Sequence, residues 1–164
     1  MSMHSEWEIE RKFIVSEIPE GLLEPRTPKE IRQGYLALES EKEIRIRDKG
    51  GKYTMTIKQG KGLKRLETQI ALSQEQFDTL WPLTMGMRVE KRRYDIKFLS
   101  HVLSLDLYYG ELEPLMTLEV EFNSEEASQE FLPPDFTGQE VTTDQDYKNA
   151  NLACFGLPGK FAAL

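Results

Sequence analysis

In WEIERKF, residues 7–13, apolar and charged side chains take turns. Trp7, Ile9 and Phe13 share one parity, and Glu8, Glu10 and Lys12 share the other. Neighbouring side chains on a β-strand point to opposite faces, so this order describes a strand with one apolar and one charged face. The two-residue period recurs along the chain. Ile44 and Ile46 alternate with Glu43, Arg45 and Arg47; Met55 and Ile57 alternate with Thr54, Thr56 and Lys58. Leu66 alternates with Arg65 and Glu67; Leu118, Val120 and Phe122 alternate with Glu119 and Glu121.

Eight segments read as strands, at 6–15, 32–38, 43–48, 52–59, 63–71, 88–98, 101–109 and 115–122. DKGGK at 48–52 and QGKG at 59–62 read as hairpin turns, because glycine reaches positive φ without steric cost. HVLSL follows KFLS closely enough for those two strands to pair. Helices are few. Ser73 and Gln76 have capping-box spacing ahead of a helix that Pro82 ends. Asn123 or Ser124 caps a second near 125–131, stopped by Pro133 and Pro134. Thr143 or Asp144 caps a third from about 145 to 155, stopped by Gly156 and Pro158. A short helix near 28–32 is a weaker signal. The expected class is α+β, mainly antiparallel β: strands in hairpin-like succession, a meander able to close into a barrel, with a few flanking helices. The chain reads as one domain, with residues 1–5 as a loose tail.

At 39% hydrophobic and 30% charged residues, the chain has the composition of a globular protein. Its net charge, 21 − 28 = −7, argues against nucleic acid or an anionic membrane as partner. The single cysteine, Cys154, excludes an internal disulfide and a cysteine-based zinc site. Between Ala153 and Phe155 it reads as a small buried apolar residue. His4 and His101 lack partners at metal-ligand spacing, and nothing completes a P-loop. No signal-peptide core and no apolar run near the roughly 18 residues of a membrane helix is visible, so the expected setting is cytoplasmic.

The charged faces have two readings. In one, they are the wet side of a half-solvated sheet. In the other, the barrel is inverted: apolar faces point outward under helices, and charged faces line a central channel. The sorting of charge favours the second. The first and last strands carry Glu pairs at i, i+2, and the middle strands carry Arg and Lys pairs; solubility needs no such sorting. Glu-x-Glu places two carboxyls on one face roughly 6.5–7 Å apart. Carboxylates without His or Cys suit hard cations such as Mg²⁺ or Mn²⁺, and a basic wall opposite suits a polyanion. A metal-bridged polyphosphate satisfies both.

Glu8-x-Glu10-x-Lys12 resembles the E-x-E-x-K motif of the CYTH superfamily, the triphosphate tunnel metalloenzymes. IRQGYL at 31–36, EIRIR at 43–47, TMTIK at 54–58 and RLE at 65–67 are similar to the strands that follow in that family. KRRY at 91–94, LDLYYG at 105–110, LEVEF at 118–122 and the closing segment 140–153 keep the same order. The resemblance implies an eight-stranded antiparallel barrel forming a tunnel, and divalent metal, with two ions by the family's pattern. It implies Glu8, Glu10, Glu119 and Glu121 as metal ligands that with Lys12 carry catalysis. The triphosphate clamp would be Lys12, Arg45, Arg47, Lys58, Arg65, Lys91 and Arg93, with Lys148 reaching in from the last helix. Glu67, Asp106 and Tyr94 would support them. Arg92, of opposite parity to Lys91 and Arg93, should point outward. The expected activity is hydrolysis of inorganic triphosphate, by a monomer or homodimer acting on a small molecule. The alternatives are cyclisation of ATP by a class IV adenylyl cyclase, thiamine triphosphate hydrolysis, and a non-catalytic polyphosphate-binding module.

Overall fold

The computed structural model describes residues 3–61 and 64–163. Eight antiparallel strands form a closed barrel: β1 (Met3–Ile14), β2 (Lys29–Glu39), β3 (Lys42–Lys49), β4 (Lys52–Gln59), β5 (Lys64–Ala71), β6 (Arg88–Phe98), β7 (His101–Tyr108) and β8 (Met116–Glu121). Around the barrel their order is β1-β5-β4-β3-β2-β6-β7-β8. This is not a plain meander. The runs β2–β5 and β6–β8 are hairpin successions, and β1 knits them together. Its residues 3–9 pair with β5, and residues 10–14 pair with β8. The other seam joins β2 to β6. The connection from β1 to β2 crosses the outer surface, where Ile18, Leu22 and Leu23 pack on the apolar face.

Local chemistry explains several of these elements. The β3–β4 hairpin turns on Gly50 and Gly51 at φ 58° and 86°, two positive values that a tight hairpin of this hand requires. In the next turn Gly60 also has positive φ, but Gly62 and Leu63 of the expected turn and strand lie outside the described residues. α1 (Gln74–Leu80) begins with a reciprocal capping box: the Gln76 N–H donates to Ser73 Oγ, and the Ser73 N–H donates to Gln76 Oε1. α2 (Glu125–Glu130) is capped by Ser124, whose hydroxyl accepts from the Ala127 N–H.

Three local expectations change. The segment 28–32 is not helical, because β2 begins at Lys29 and its ladder with β6 fixes an extended backbone. The expected tail shortens, because β1 pairs with β5 from Met3 onward. The third helix is divided. A 3-10 turn (Gln145–Tyr147) is followed by extended Lys148, φ −67° and ψ 140°, and only then by α3 (Asn149–Phe155), which Gly156 ends at φ 75°. The Lys12 ammonium donates to the Tyr147 carbonyl at 2.7 Å, tying the end of the 3-10 turn to β1.

The apolar core lies outside the barrel wall. Ile9, Phe13, Tyr94, Leu103, Leu118 and Val120 form a continuous cluster on the outer face of β1, β6, β7 and β8, covered by Phe131, Ala127 and the β1–β2 connection. Burial of this surface supplies the main drive to fold. The interior is left to the other parity, which is charged. At the end of the barrel where β1 finishes, residues 138–155 cross the opening. Gly138, Val141 and Ile14 share backbone hydrogen bonds with the edge of β1 and its neighbour segment, and Tyr147 and Leu152 pack with Ile14, Val89 and Tyr108. The opposite end, with the β3–β4 and β6–β7 hairpins, carries no such cover among the described residues.

Candidate active site

A cavity of about 710 Å³ runs inside the barrel, lined on one side by Glu8, Glu10 and Glu121 and on the other by Arg45, Arg47 and Arg93. A narrower space under residues 141–150 continues it at the covered end, reaching Lys12, Arg65 and Lys148.

The acidic wall comes from β1 and β8. Glu10 and Glu121 are cross-strand partners. With Glu8 they form a group in which one carboxylate oxygen from each residue lies within 4.8 Å of the other two. Burial opposes the charge on Glu8, but Lys58 at 2.8 Å overcomes it and holds this carboxyl far below the usual range. Glu10 goes the other way. Burial, then Glu119 and Glu8, raise its carboxyl well above the ordinary value. Glu121 is raised by burial and by the same two neighbours. Negative charge here exceeds what the nearby cations offset.

Glu119 stands apart from this group. Its oxygens meet Lys12 at 3.3 Å and Arg93 at 3.6 Å. Burial works against its charge, yet Lys12, Lys91 and Arg93 hold it ionised. Of the four expected ligands, Glu8, Glu10 and Glu121 bring oxygens within 4.8 Å of one another, while Glu119, close enough to raise Glu10 and Glu121, is itself tied to cations. Glu67, on β5, lies 3.7 Å from Lys58. Burial and a hydrogen bond with Glu8 push its carboxyl up to about 7.

On the basic side, Asp106 is the anchor. It is 0% exposed, accepts two hydrogen bonds from Arg93 at 2.6 and 2.7 Å, and pairs with Lys91 at 2.7 Å. Burial pulls the Lys91 ammonium down to about 8 in spite of Asp106. Arg65 pairs with Glu43. Burial, Arg45 and Arg93 bring the Arg47 guanidinium down to about 10. The Nε donors of Arg45, Arg47 and Arg65 are buried without a hydrogen-bond partner. Arg92 Nε on the outer face is unmet as well; what sets Arg45, Arg47 and Arg65 apart is that they line the interior space, where an anion would complete a donor that is costly to leave unmet.

Lys148 lines the narrow space beside Glu43 and Arg65. It lies before α3 rather than within it. Burial and Arg65 lower its ammonium. Tyr94 does not reach the tunnel: at 8% exposure it packs in the outer apolar cluster, because its parity is that of Ile96 rather than of Arg93. Arg92 is also on the outer face, its guanidinium 6.0 Å from the Tyr109 ring centre. Sequence reasoning missed several interior residues. Gln33 donates to the Tyr35 hydroxyl at 2.9 Å, and β2's own alternation is the signal that marks both. Asn149 Oδ1 accepts from Tyr108 at 2.7 Å and from Lys91 at 3.4 Å. No local pattern marks Asn149, because it enters the site only through the crossing of the C-terminal segment.

Comparison with known proteins adds to this geometry. The CYTH domain profile matches residues 6–133. An inorganic triphosphatase of Nitrosomonas europaea is 48% identical over 148 residues, 89% of this chain and 96% of that protein. An inorganic triphosphatase of Acetivibrio thermocellus is 35% identical over 152 residues, 88% of this chain and 92% of that protein. The crystal structure of an inorganic triphosphatase, 44% identical, superposes with a TM-score of 0.67 over 90% of this chain and 94% of its own.

Proposed function

This chain belongs to the CYTH domain family, and from that membership we propose that it hydrolyses inorganic triphosphate to pyrophosphate and phosphate with the help of a divalent cation. One observation carries the reading: the buried, partnerless guanidinium nitrogens of Arg45 and Arg47 line one cavity with three crowded carboxylates. A triphosphate with its cation answers both at once.

The residues fit a hard cation. Glu8, Glu10 and Glu121 offer oxygen donors only, within 4.8 Å of one another, and the raised carboxyls of Glu10 and Glu121 mark negative charge without a counter-ion. Mg²⁺ or Mn²⁺ held by these three supplies neutralisation of phosphate oxygens and acidification of water. Glu119, engaged by Lys12 and Arg93, serves here to orient those two cations rather than to complete a second ion site.

The chain's own groups do the rest. Arg45, Arg47, Arg65 and Arg93 bind phosphate oxygens along the tunnel, where positioning and charge neutralisation carry most of phosphoryl transfer. Asp106 holds Arg93 and Lys91 in place before substrate arrives, so little reorganisation is needed. Glu67, with its carboxyl near 7 and outside the three-carboxylate group, takes the proton of the attacking water. Residues 138–155 exclude water from the covered end.

The test is direct. Purified protein is incubated with tripolyphosphate, ATP and thiamine triphosphate, with Mg²⁺ or Mn²⁺ and with EDTA, and phosphate, pyrophosphate and cyclic AMP are measured. Phosphate release from tripolyphosphate, abolished by EDTA, is the expected result. Cyclic AMP from ATP as the main product, or turnover untouched by EDTA, would overturn it.

A further inference from the structure

The cationic row on β3 is longer than a triphosphate needs. Arg45, Arg47 and Lys49 stand at i, i+2 and i+4 on one strand, a span of about 13 Å at the usual rise. Three phosphates joined through shared oxygens are shorter. At the uncovered end of the barrel the row opens into a second pocket of about 360 Å³, lined by Lys29, Arg47, Lys49, Lys52, Thr54 and Gln69 together with Gly50 of the hairpin turn. Four of these seven are cations and none is a carboxylate.

Nothing within the described residues neutralises this pocket by a direct ion pair: no salt bridge involves Lys29, Arg47, Lys49 or Lys52. Asp95 is the carboxylate that favours Lys49, while Arg93, Arg47 and Lys29 all oppose its charge. A second observation comes from Thr54. It is 4% exposed, faces Arg47 across the β3–β4 ladder, and its buried hydroxyl has no hydrogen-bond partner. Arg47 Nε lacks one too. A polar floor with two unmet groups under three lysines has the chemistry of an oxyanion site.

We propose that this outer pocket is a phosphate subsite beyond the triphosphate clamp, in which Lys49, Lys52 and Thr54 hold one phosphate group more than the tunnel itself accommodates. It deepens the triphosphate reading and rests on it. The group is either the fourth phosphate of a linear chain seated through the tunnel or a free orthophosphate.

Binding to the full-length protein in EDTA, read by calorimetry, separates these sources without relying on turnover. The titrants are tripolyphosphate, tetrapolyphosphate and orthophosphate, and the proteins are wild type, Lys52→Ala, and Lys52→Ala with Thr54→Val. One added charge-assisted contact corresponds to about tenfold tighter binding of tetrapolyphosphate than of tripolyphosphate in the wild type. The double variant is expected to bring that ratio within about twofold. If instead orthophosphate binding is what the variants lose, the subsite takes free phosphate. Identical ratios and identical orthophosphate affinities in all three proteins would overturn the proposal. Lys52 is exposed, so its single variant reports even if the change at Thr54 unfolds the chain. The subsite stands if these differences appear in a protein that fails to hydrolyse tripolyphosphate, and it alone falls if hydrolysis is present without them.

Discussion

Glu10 on β1 stands directly opposite Glu121 on β8 in the antiparallel ladder. Like charges in that relation repel, at up to about 1 kcal/mol. Both carboxyls are held above their ordinary range, first by burial and then by neighbouring carboxylates. The folded chain therefore binds these protons more tightly than the unfolded chain does. Their stabilising contribution is complete below the ordinary carboxylate pKa and is lost as pH rises through the raised values. The metal-free protein should lose thermal stability as pH rises above the ordinary carboxylate value of 4.5, and added Mg²⁺ or Mn²⁺ should restore it. Glu10→Gln should raise the metal-free Tm by roughly 2–4 °C while lowering turnover at least about 100-fold. Thermal melts with and without metal, beside a phosphate-release assay, check both halves.

Removing Asp106 should be far more damaging to the fold. Its carboxylate, fully buried, is shared by Lys91 and Arg93. Asp106→Asn leaves two buried cations short of a counter-charge, a loss of about 3–5 kcal/mol by analogy with other broken buried pairs. Chemical denaturation of the variant reads this directly. A midpoint equal to that of the wild type would mean that substrate-free Lys91 and Arg93 have other support.

Lys91 sets an upper pH limit on substrate capture. Its ammonium is lowered from 10.5 to about 8, chiefly by burial. Above that pH the free enzyme presents a neutral amine to the triphosphate, so kcat/KM should fall as pH passes about 8. Stability moves the other way. Between about 8 and 10.5 the unfolded chain binds the proton that the folded chain has released, so this group alone makes stability rise with pH there. A kcat/KM profile that stays flat to about pH 9.5 would remove Lys91 from the clamp.

Neighbouring arginines of opposite parity give a control within one strand. Arg93 meets Asp106 and Glu119 inside the barrel, whereas Arg92 lies near Tyr109 on the outer face. Arg93→Ala should cut kcat/KM for tripolyphosphate by about 100-fold or more, the scale of losing a charged clamp. Arg92→Ala should stay within about twofold. Comparable losses in both would mean that the parity of β6 does not govern the site.

Much of this site was legible before any coordinates. Alternation in β1, β3, β5 and β8 sorts Glu8, Arg45, Glu67 and Glu121 onto one face, because the pleat sends every second side chain the same way. The same rule applied to β6 places Tyr94 outside with Ile96, away from the supporting place at the tunnel that the family resemblance implied.

By itself, then, the amino-acid order determined which residues share a face, where most turns fall, and that the charged faces are sorted by sign, since all three are local properties of the backbone. Closure was decided elsewhere: β1 pairs with β5 through one half and with β8 through the other, which leaves no edge strand with unpaired backbone groups. So was the fate of each glutamate on β8. Glu119 and Glu121 are two residues apart with the same side-chain direction, yet one is claimed by Lys12 and Arg93 and the other joins Glu8 and Glu10. Coulomb energy at a few ångströms depends on which distant strands arrive nearby, and no pattern along a single strand contains that distance.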